Sequence, residues 1–268
     1  MREQTQQSVT TRRRTVVLSG VRFDGLTERE VIDTVLDSLA ARRGGRIVTP
    51  NVDILRRAMR SAEAREHIES ASLVMADGAP LIWAARVAGQ PLPARVPGSD
   101  LIWSISGALA GKGYSVYLLG GEPGTSEVAA AALAERYPGI AIAGHSSPPF
   151  GFDTHSDQYD AVCAEVIAAR PDFVYVGLGF PKQERVIARL RGALPGAWFM
   201  GCGAAIGFVA GTYRRAPRWM QRTGLEWVHR LALEPGRLVR RYLIEDAPFA
   251  ARLLAGSALA RLRKGSRA

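Results

Sequence analysis

Between residues 15 and 213 the chain alternates short apolar, β-branched runs with segments of helical period, the pattern of βαβ units wound around a parallel sheet. TVVLSGVRF reads as an opening strand, and Thr27 with Glu30 forms a capping box that starts a helix running to about Ala41. Strand RIVTP, short helices over Val52–Ser70, strand SLVMA and a helix over Pro80–Ala88 follow. After the turn-rich GQPLPARVPGSD, a helix near Leu101–Ala110 leads to strand SVYLLGG. The later units are helix Thr125–Tyr137, strand IAIAG, loop HSSPPFGFDTHSD, helix Gln158–Ala169, strand DFVYVGLG, helix Lys182–Leu190 and strand AWFMGCG. VYLLG and FVYVGLG are continuously apolar, as strands covered on both faces are. The predicted class is α/β, with a mostly parallel sheet and helices on both faces.

In such sheets ligands bind where a strand ends and the chain turns into the next helix. The turns are TPN (Thr49–Asn51), ADG (Ala76–Gly78), LGGEPG (Leu119–Gly124), GLGFPKQE (Gly177–Glu184) and GCGAAIG (Gly201–Gly207). Each puts glycine or small polar residues at a strand end, where free backbone N–H groups hold phosphate. For any single loop, glycine serving only a tight turn explains the sequence as well. Five such loops on one sheet edge point to a nucleotide-sized site.

The 268 residues are 47% hydrophobic and 22% charged, with a mean hydropathy of −0.01. That composition excludes disorder throughout. Cys163 and Cys202 are too few for a disulfide framework, and four scattered histidines make no structural zinc site, which points to the cytosol. No apolar run approaches the ~20 residues of a spanning helix. The net charge of +10 is unevenly spread. Residues 1–14 carry +3 and read as a disordered basic N-terminus rather than a signal peptide. Residues 15–213, the α/β core, carry 18 Lys+Arg against 20 Asp+Glu, whereas residues 214–268 carry 13 against 4. Basicity is therefore a property of a C-terminal helical appendage.

In that appendage Leu225, Val228, Leu231 and Ala232 recur at helical spacing beside Trp219 and Trp227, with Arg222, Arg230, Arg237, Arg240 and Arg241 interleaved. Pro248 opens a second segment with Phe249, Leu253, Leu254 and Leu262. The pattern fits helices lying on an anionic bilayer, and equally a helical hairpin packed on the core with a solvated basic face. Burial of its apolar surface in a homo-oligomer is a further option. Nucleic-acid binding is the rival reading of a pI near 10.3, but the core is net negative and carries no helix-turn-helix or RNA-stacking signature.

Two apparent motifs fail on spacing. GALAGKG (Gly107–Gly113) is one residue short of a P-loop and has Gly113 where Ser or Thr would hold magnesium. A dinucleotide site following GCGAAIG needs an acid at the end of a strand about 20 residues on, where this chain has the basic, helical RTGLEWVHR, so an NAD-dependent oxidoreductase stays only as an alternative. No D-x-D pair offers a metal beside a diphosphate, so cationic side chains and backbone donors take that role. Asp77, after SLVMA and before Gly78, is the foremost catalytic carboxylate, a general base for a sugar hydroxyl; a plain N-cap for the next helix explains its position equally well. His145 and His155 have no partner at metal or triad spacing, and Cys202 reads as a buried, inert thiol.

Taken together, TPNVDILRRA, ADGAPLIWAARVAGQPLPARVPGSDL, VYLLGGEPGTSEVAAAALAERYPGIAIAG, PDFVYVGLGFPKQE and GAAIGFVAGTYRRAPRWMQRTGLEWVHRLALEPGRLVRRYL resemble the WecG/TagA/CpsF glycosyltransferases, in order from about Thr15 to Leu243. The resemblance implies a Rossmann-like core and an appendage that reaches the membrane and helps complete the site. It further implies an inverting, metal-independent and cofactor-free transfer of a hexose or N-acetylmannosamine-type sugar from a UDP-sugar to a sugar on undecaprenyl diphosphate. The location implied is the inner face of the cytoplasmic membrane, in cell-surface polysaccharide synthesis. By the same resemblance Asp77 is the base, Thr49 and Asn51 line its pocket, Arg95 acts on a diphosphate and Gln183 lies near the nucleotide. Gly78, Gly120, Gly121, Lys182 and Glu184 in the matching loops, with Arg214, Arg215 and Arg222 in the appendage, complete the expected substrate-binding set. Ile206-Gly207 stands where the family usually has Phe-Asp, and HSSPPF where His-x-Gly-Tyr-Phe is common; both bear on uracil or ribose recognition.

Overall fold

A computed structural model describes residues 14–265; all but the last residue of the expected N-terminal segment, 1–14, lies outside the described residues. A hairpin of β1 (Thr15–Leu18) and β2 (Val21–Asp24) precedes six strands: β3 (Gly45–Val48), β4 (Leu73–Val74), β5 (Ser115–Gly120), β6 (Ala141–Ser146), β7 (Phe173–Gly177) and β8 (Trp198–Gly201). The six pair in the order β4-β3-β8-β7-β5-β6, every pairing parallel. Helices α1 (Glu28–Ala40), α2 (Val52–Ala58), α3 (Ala62–Glu69), α4 (Ala79–Val87), α5 (Gly98–Ala110) and α6 (Thr125–Arg136) alternate with them. The helices α7 (Ser156–Ala169), α8 (Lys182–Ala193) and α9 (Ala205–Val209) complete the alternation. The C-terminal region adds α10 (Arg218–Thr223), α11 (Glu226–Leu233), α12 (Pro235–Val239), a π-helical turn over Arg240–Asp246 and α13 (Ala247–Gly265). No helix among the described residues is long and apolar enough to cross a membrane.

Both faces of the sheet are covered, which is why its strands read as unbroken apolar runs. One face buries Ile47, Leu118, Tyr175 and Met200 against Val35 of α1, Ile105 of α5 and Leu133 of α6. The other buries Tyr117, Val174 and Phe199 against Val166 of α7 and Ile187 of α8. At the β3–β4 end a separate cluster joins Val48 and Val74 to the hairpin, α2, α4 and Leu253 of α13. Thr27 and Glu30 form the expected capping box.

The opening segment differs from the single strand expected. Ser19 and Gly20 both have positive φ, 48° and 77°, so the chain reverses in a two-residue turn and pairs Leu18 with Val21. The hairpin then serves the sheet's edge: the buried Asp24 carboxylate accepts from the Val74 N–H at 2.8 Å. Strand β6 also continues through His145 and Ser146, which were expected in the following loop. Gly107–Gly113 forms the end of α5 and its turn, in agreement with rejection of the P-loop.

The basic C-terminal region is helical and lies against the core. Leu253 is buried beside α4, with Phe249 and Leu254 partly buried. Its π-helical turn meets α2 in an ion network: Arg56 donates to Asp246 at 3.0 Å, to Asp53 at 2.6 Å and to Glu245 at 2.6 Å, and Arg241 stands 3.0 Å from Asp53. Other apolar side chains of the region, Trp219, Leu233, Ile244 and Leu262 among them, face solvent.

Candidate active site

Asp77 emerges from the carboxyl end of the outermost strand, β4. Its backbone is held from both sides: the Asp77 N–H donates to Pro50 O at 2.9 Å, and Val96 N–H donates to Ala76 O at 3.0 Å. The N-cap of α4 is Gly78, whose φ of 125° favours glycine, and not Asp77. The capping explanation for Asp77 is thus removed, and its carboxyl sits in a recess, 29% exposed.

Around it stand charged groups of both signs. Arg95 Nη1 lies 4.0 Å from Asp77 and donates to Glu226 of α11 at 3.0 Å. Arg215 pairs with Asp100 and stands 3.6 Å from the other Glu226 oxygen. Burial pushes the Asp77 carboxyl up to about 6; Arg95 opposes the rise, Glu226 and Asp100 add to it, and Arg230 opposes it. A carboxylate with that affinity is a better proton acceptor than an ordinary aspartate and is still mostly ionised at neutral pH.

Beside this cluster a cleft of about 450 Å³ opens between α4, the 93–100 segment and α10, lined by Ile82, Trp83, Arg86, Arg95, Arg218 and Arg222. The loop after α10 fits tightly against it. Gly224 has φ +78°, and a Cβ there would stand 2.4 Å from Ala79 Cβ, so only glycine lets this turn approach the start of α4.

The expected site residues divide into groups. Thr49 is buried on the neighbouring strand end, where a Cβ on Gly98 would come within 3.2 Å of its Oγ1. Asn51 caps α2, accepting from Ile54 N–H at 3.0 Å, with its Cβ close to Gly78. Thr49, Asn51, Asp77, Gly78, Arg95 and Arg215 therefore share one corner, and Arg222 lines the adjoining cleft. Gly120 and Gly121 lie further along the edge, where Gly121 N–H donates to Gly177 O at 3.2 Å. Lys182 pairs with Asp153 at 2.7 Å beside a second cleft of about 440 Å³ that Tyr159 and Arg185 also line. Gln183 is buried and accepts from Gly203 N–H at 3.1 Å, bracing the loop after β8. Glu184 is fully buried 3.5 Å from Arg46, and burial pushes it up to about 7 against the pull of that arginine. Arg214 is exposed.

Glu226, Asp100, Arg218 and Arg86 were not singled out from the sequence. Asp100 stood in PARVPGSD, three residues past Pro97, while Glu226 lay inside a stripe read for its apolar residues. At Gly207 a Cβ would come within 2.5 Å of the Tyr213 ring, so the glycine makes room for that tyrosine, whose hydroxyl donates to Glu122 at 3.1 Å. His145 and His155 are exposed, and the buried Cys202 thiol is pushed up to about 12 by burial.

The family model described as "Glycosyl transferase WecG/TagA/CpsF family" matches residues 16–264. The chain belongs to the WecG/TagA/CpsF glycosyltransferase family. Two similar proteins bear the name N-acetylglucosaminyldiphosphoundecaprenol N-acetyl-beta-D-mannosaminyltransferase. The one from Bacillus subtilis (strain 168) is 30% identical over 197 residues, 74% of this chain and 75% of that protein. The one from Staphylococcus aureus (strain MRSA252) is 30% identical over 227 residues, 84% of this chain and 87% of its own. In this WecG/TagA/CpsF glycosyltransferase, then, the match runs through the α/β core and the C-terminal helices alike, and the corner around Asp77 draws on both.

Proposed function

We propose that the chain transfers a sugar, with inversion, from a UDP-sugar to a sugar carried on a polyprenyl diphosphate, with Asp77 as general base. The observation that carries this reading is the Asp77 carboxyl, 4.0 Å from Arg95, opening beside a cleft that combines four arginines with Trp83 and Ile82. Arginines match a diphosphate and the apolar side chains match the start of a lipid tail. The names of the relatives, which describe an undecaprenol-linked acceptor, support the same class.

In the reaction the acceptor hydroxyl oxygen attacks the anomeric carbon, and its proton passes to the Asp77 carboxylate. The new C–O bond forms as the bond to the donor's diphosphate breaks on the opposite face, and UDP leaves. Arg95 and its neighbours offset the charge building on the diphosphate, so the transfer proceeds without a metal. Orientation of the two substrates contributes much of the rate.

The exposed Trp219, Ile244 and Leu262, in a region with 13 Lys+Arg, support contact with the anionic inner face of the cytoplasmic membrane. In these terms the C-terminal helices are an appendage that both faces the bilayer and completes the site.

The test is a panel of UDP-sugars with a synthetic polyprenyl-diphosphate-linked sugar, products read by mass spectrometry with and without EDTA. One UDP-sugar yielding a one-sugar adduct, undiminished by EDTA, is the expected result. No adduct from any donor, or turnover abolished by EDTA and restored by a divalent ion, overturns it.

A further inference from the structure

Among the described residues, Glu226 is the one carboxylate that touches both Arg95 and Arg215. Its Oε2 accepts from Arg95 at 3.0 Å and its Oε1 lies 3.6 Å from Arg215 Nη2. Its side chain is 15% exposed, so the interaction is shielded from solvent and weakly screened. Arg215 is incompletely satisfied: its Nε and Nη2 are buried and make no hydrogen bond, although Nη1 is paired with Asp100. Buried guanidinium donors without acceptors are costly, and a bound anion with more oxygens than one carboxylate relieves that cost. Two guanidinium groups bridged by a single carboxylate at the mouth of a cleft with three more arginines have the geometry of a diphosphate site holding a smaller anion in its place.

We infer that Glu226 is a positioning residue: its carboxylate holds Arg95 and Arg215 at the rim of the Asp77 recess and yields them to a substrate diphosphate. The inference rests on the reading of Asp77 as base and deepens it, since Glu226 arrives from α11 and couples the C-terminal helices to the reacting corner. It acts through other groups and touches no reacting atom. In the resting enzyme Glu226 competes with the diphosphate; in the liganded enzyme its negative charge stays near Asp77 and keeps that carboxylate basic. Removing the charge therefore has two opposed effects, tighter diphosphate binding and a weaker base. The charged groups facing Asp77 are Arg95, Glu226, Asp100 and Arg230, so the loss of one of two neighbouring acids registers in the pH profile.

The experiment compares the full chain with Glu226→Gln and Glu226→Asp. UDP and a short-chain prenyl-diphosphate sugar are titrated separately by calorimetry, so that donor and acceptor diphosphates are told apart, and kcat, KM and the acidic limb of the rate are measured. Glu226→Gln is expected to bind one of the two diphosphates about 3–10-fold more tightly, since a rival anion is gone, while kcat falls about fivefold or more as the guanidinium groups lose their orientation. Its acidic limb moves to lower pH by roughly half a unit. Glu226→Asp, which keeps the charge but not the reach, returns the limb to its original pH without restoring kcat. If Glu226→Gln is folded yet leaves both affinities and the limb unchanged, the inference is overturned. Should Glu226→Gln misfold, Glu226→Asp decides alone, and unchanged kcat and affinities in that variant overturn it. Asp77→Asn separates the two readings: full turnover there sinks the assignment of the base, whereas the calorimetric effect of Glu226 needs no turnover.

Discussion

The Arg56 guanidinium donates to Asp246 at 3.0 Å across 190 residues of sequence. It joins the first helix after β3 to the π-helical turn, and the helix it holds is capped by Asn51, in the candidate site. Arg56→Ala leaves Asp53, Asp246 and Glu245 facing one another with Arg57, Arg241 and Arg240 at their outer side. Breaking a buried pair from one side costs about 3–5 kcal/mol, so a clear drop in the denaturation midpoint is expected, with early proteolytic cleavage between residues 214 and 246. Unaltered denaturation and cleavage would show that the network contributes little.

Asp77→Asn is expected to lower kcat about 10²–10⁴-fold, the usual contribution of a general base, with KM for the donor little changed. Steady-state rates with saturating acceptor check it, and retention of full turnover removes Asp77 from the mechanism.

The same carboxyl sets a pH dependence with a definite sign. The base must be ionised, so kcat should fall below pH about 6. Stability runs the other way. Between about pH 4 and 6 the folded state keeps a proton that the unfolded chain has released, so stability declines as pH rises through that window. Above it Asp77→Asn, which ionises in neither state, should be more stable than the parent by up to about 3 kcal/mol. Paired melting curves at pH 4 and pH 7.5 measure it, and equal midpoints for the two proteins at pH 7.5 would count against a desolvated Asp77.

Contact with the bilayer is checked without disturbing the fold by changing only exposed side chains. Trp219→Glu, Ile244→Glu and Leu262→Glu combined, at positions 60%, 67% and 70% exposed, should leave the melting temperature almost unchanged. Co-sedimentation with phosphatidylglycerol vesicles should drop at least tenfold, since each change removes apolar contact and reverses local attraction. Equal co-sedimentation of the two proteins would sink the membrane role.

Gly207→Asp introduces a Cβ 2.5 Å from the Tyr213 ring. Tyr213 must move, its bond to Glu122 breaks, and a loss of about 1–3 kcal/mol is expected. Gly207→Ala should produce most of that loss, which separates crowding from charge; a melting series checks both.

Much of this molecule was readable because neighbouring residues decide it. The apolar run before Asp77 and the glycine after it put an acid at a strand end, and Thr27 with Glu30 declared a helix start. Ser19-Gly20 was missed because TVVLSGVRF is apolar on both sides of a turn that only the two positive φ angles reveal. Glu226 was invisible for a different reason. Its partner Arg95 lies 131 residues away, and the sequence around it reads as an amphipathic helix, so only tertiary packing discloses its second role. Glu184 carries the opposite lesson: PKQE placed it in the expected substrate-binding set, but the fold turns it inward onto Arg46, fully buried.

The hairpin that closes over β4 has a further consequence. The ladder of β4 is two residues long, and a strand so short opens readily when its outer side is bare. With Asp24 accepting from Val74 and the Val96 amide held by Ala76, the base is anchored by segments that must detach together before it can drift. Hydrogen exchange at Val74 should therefore follow the global opening of the protein, and catalytic competence should persist until the whole β3–β4 end unzips.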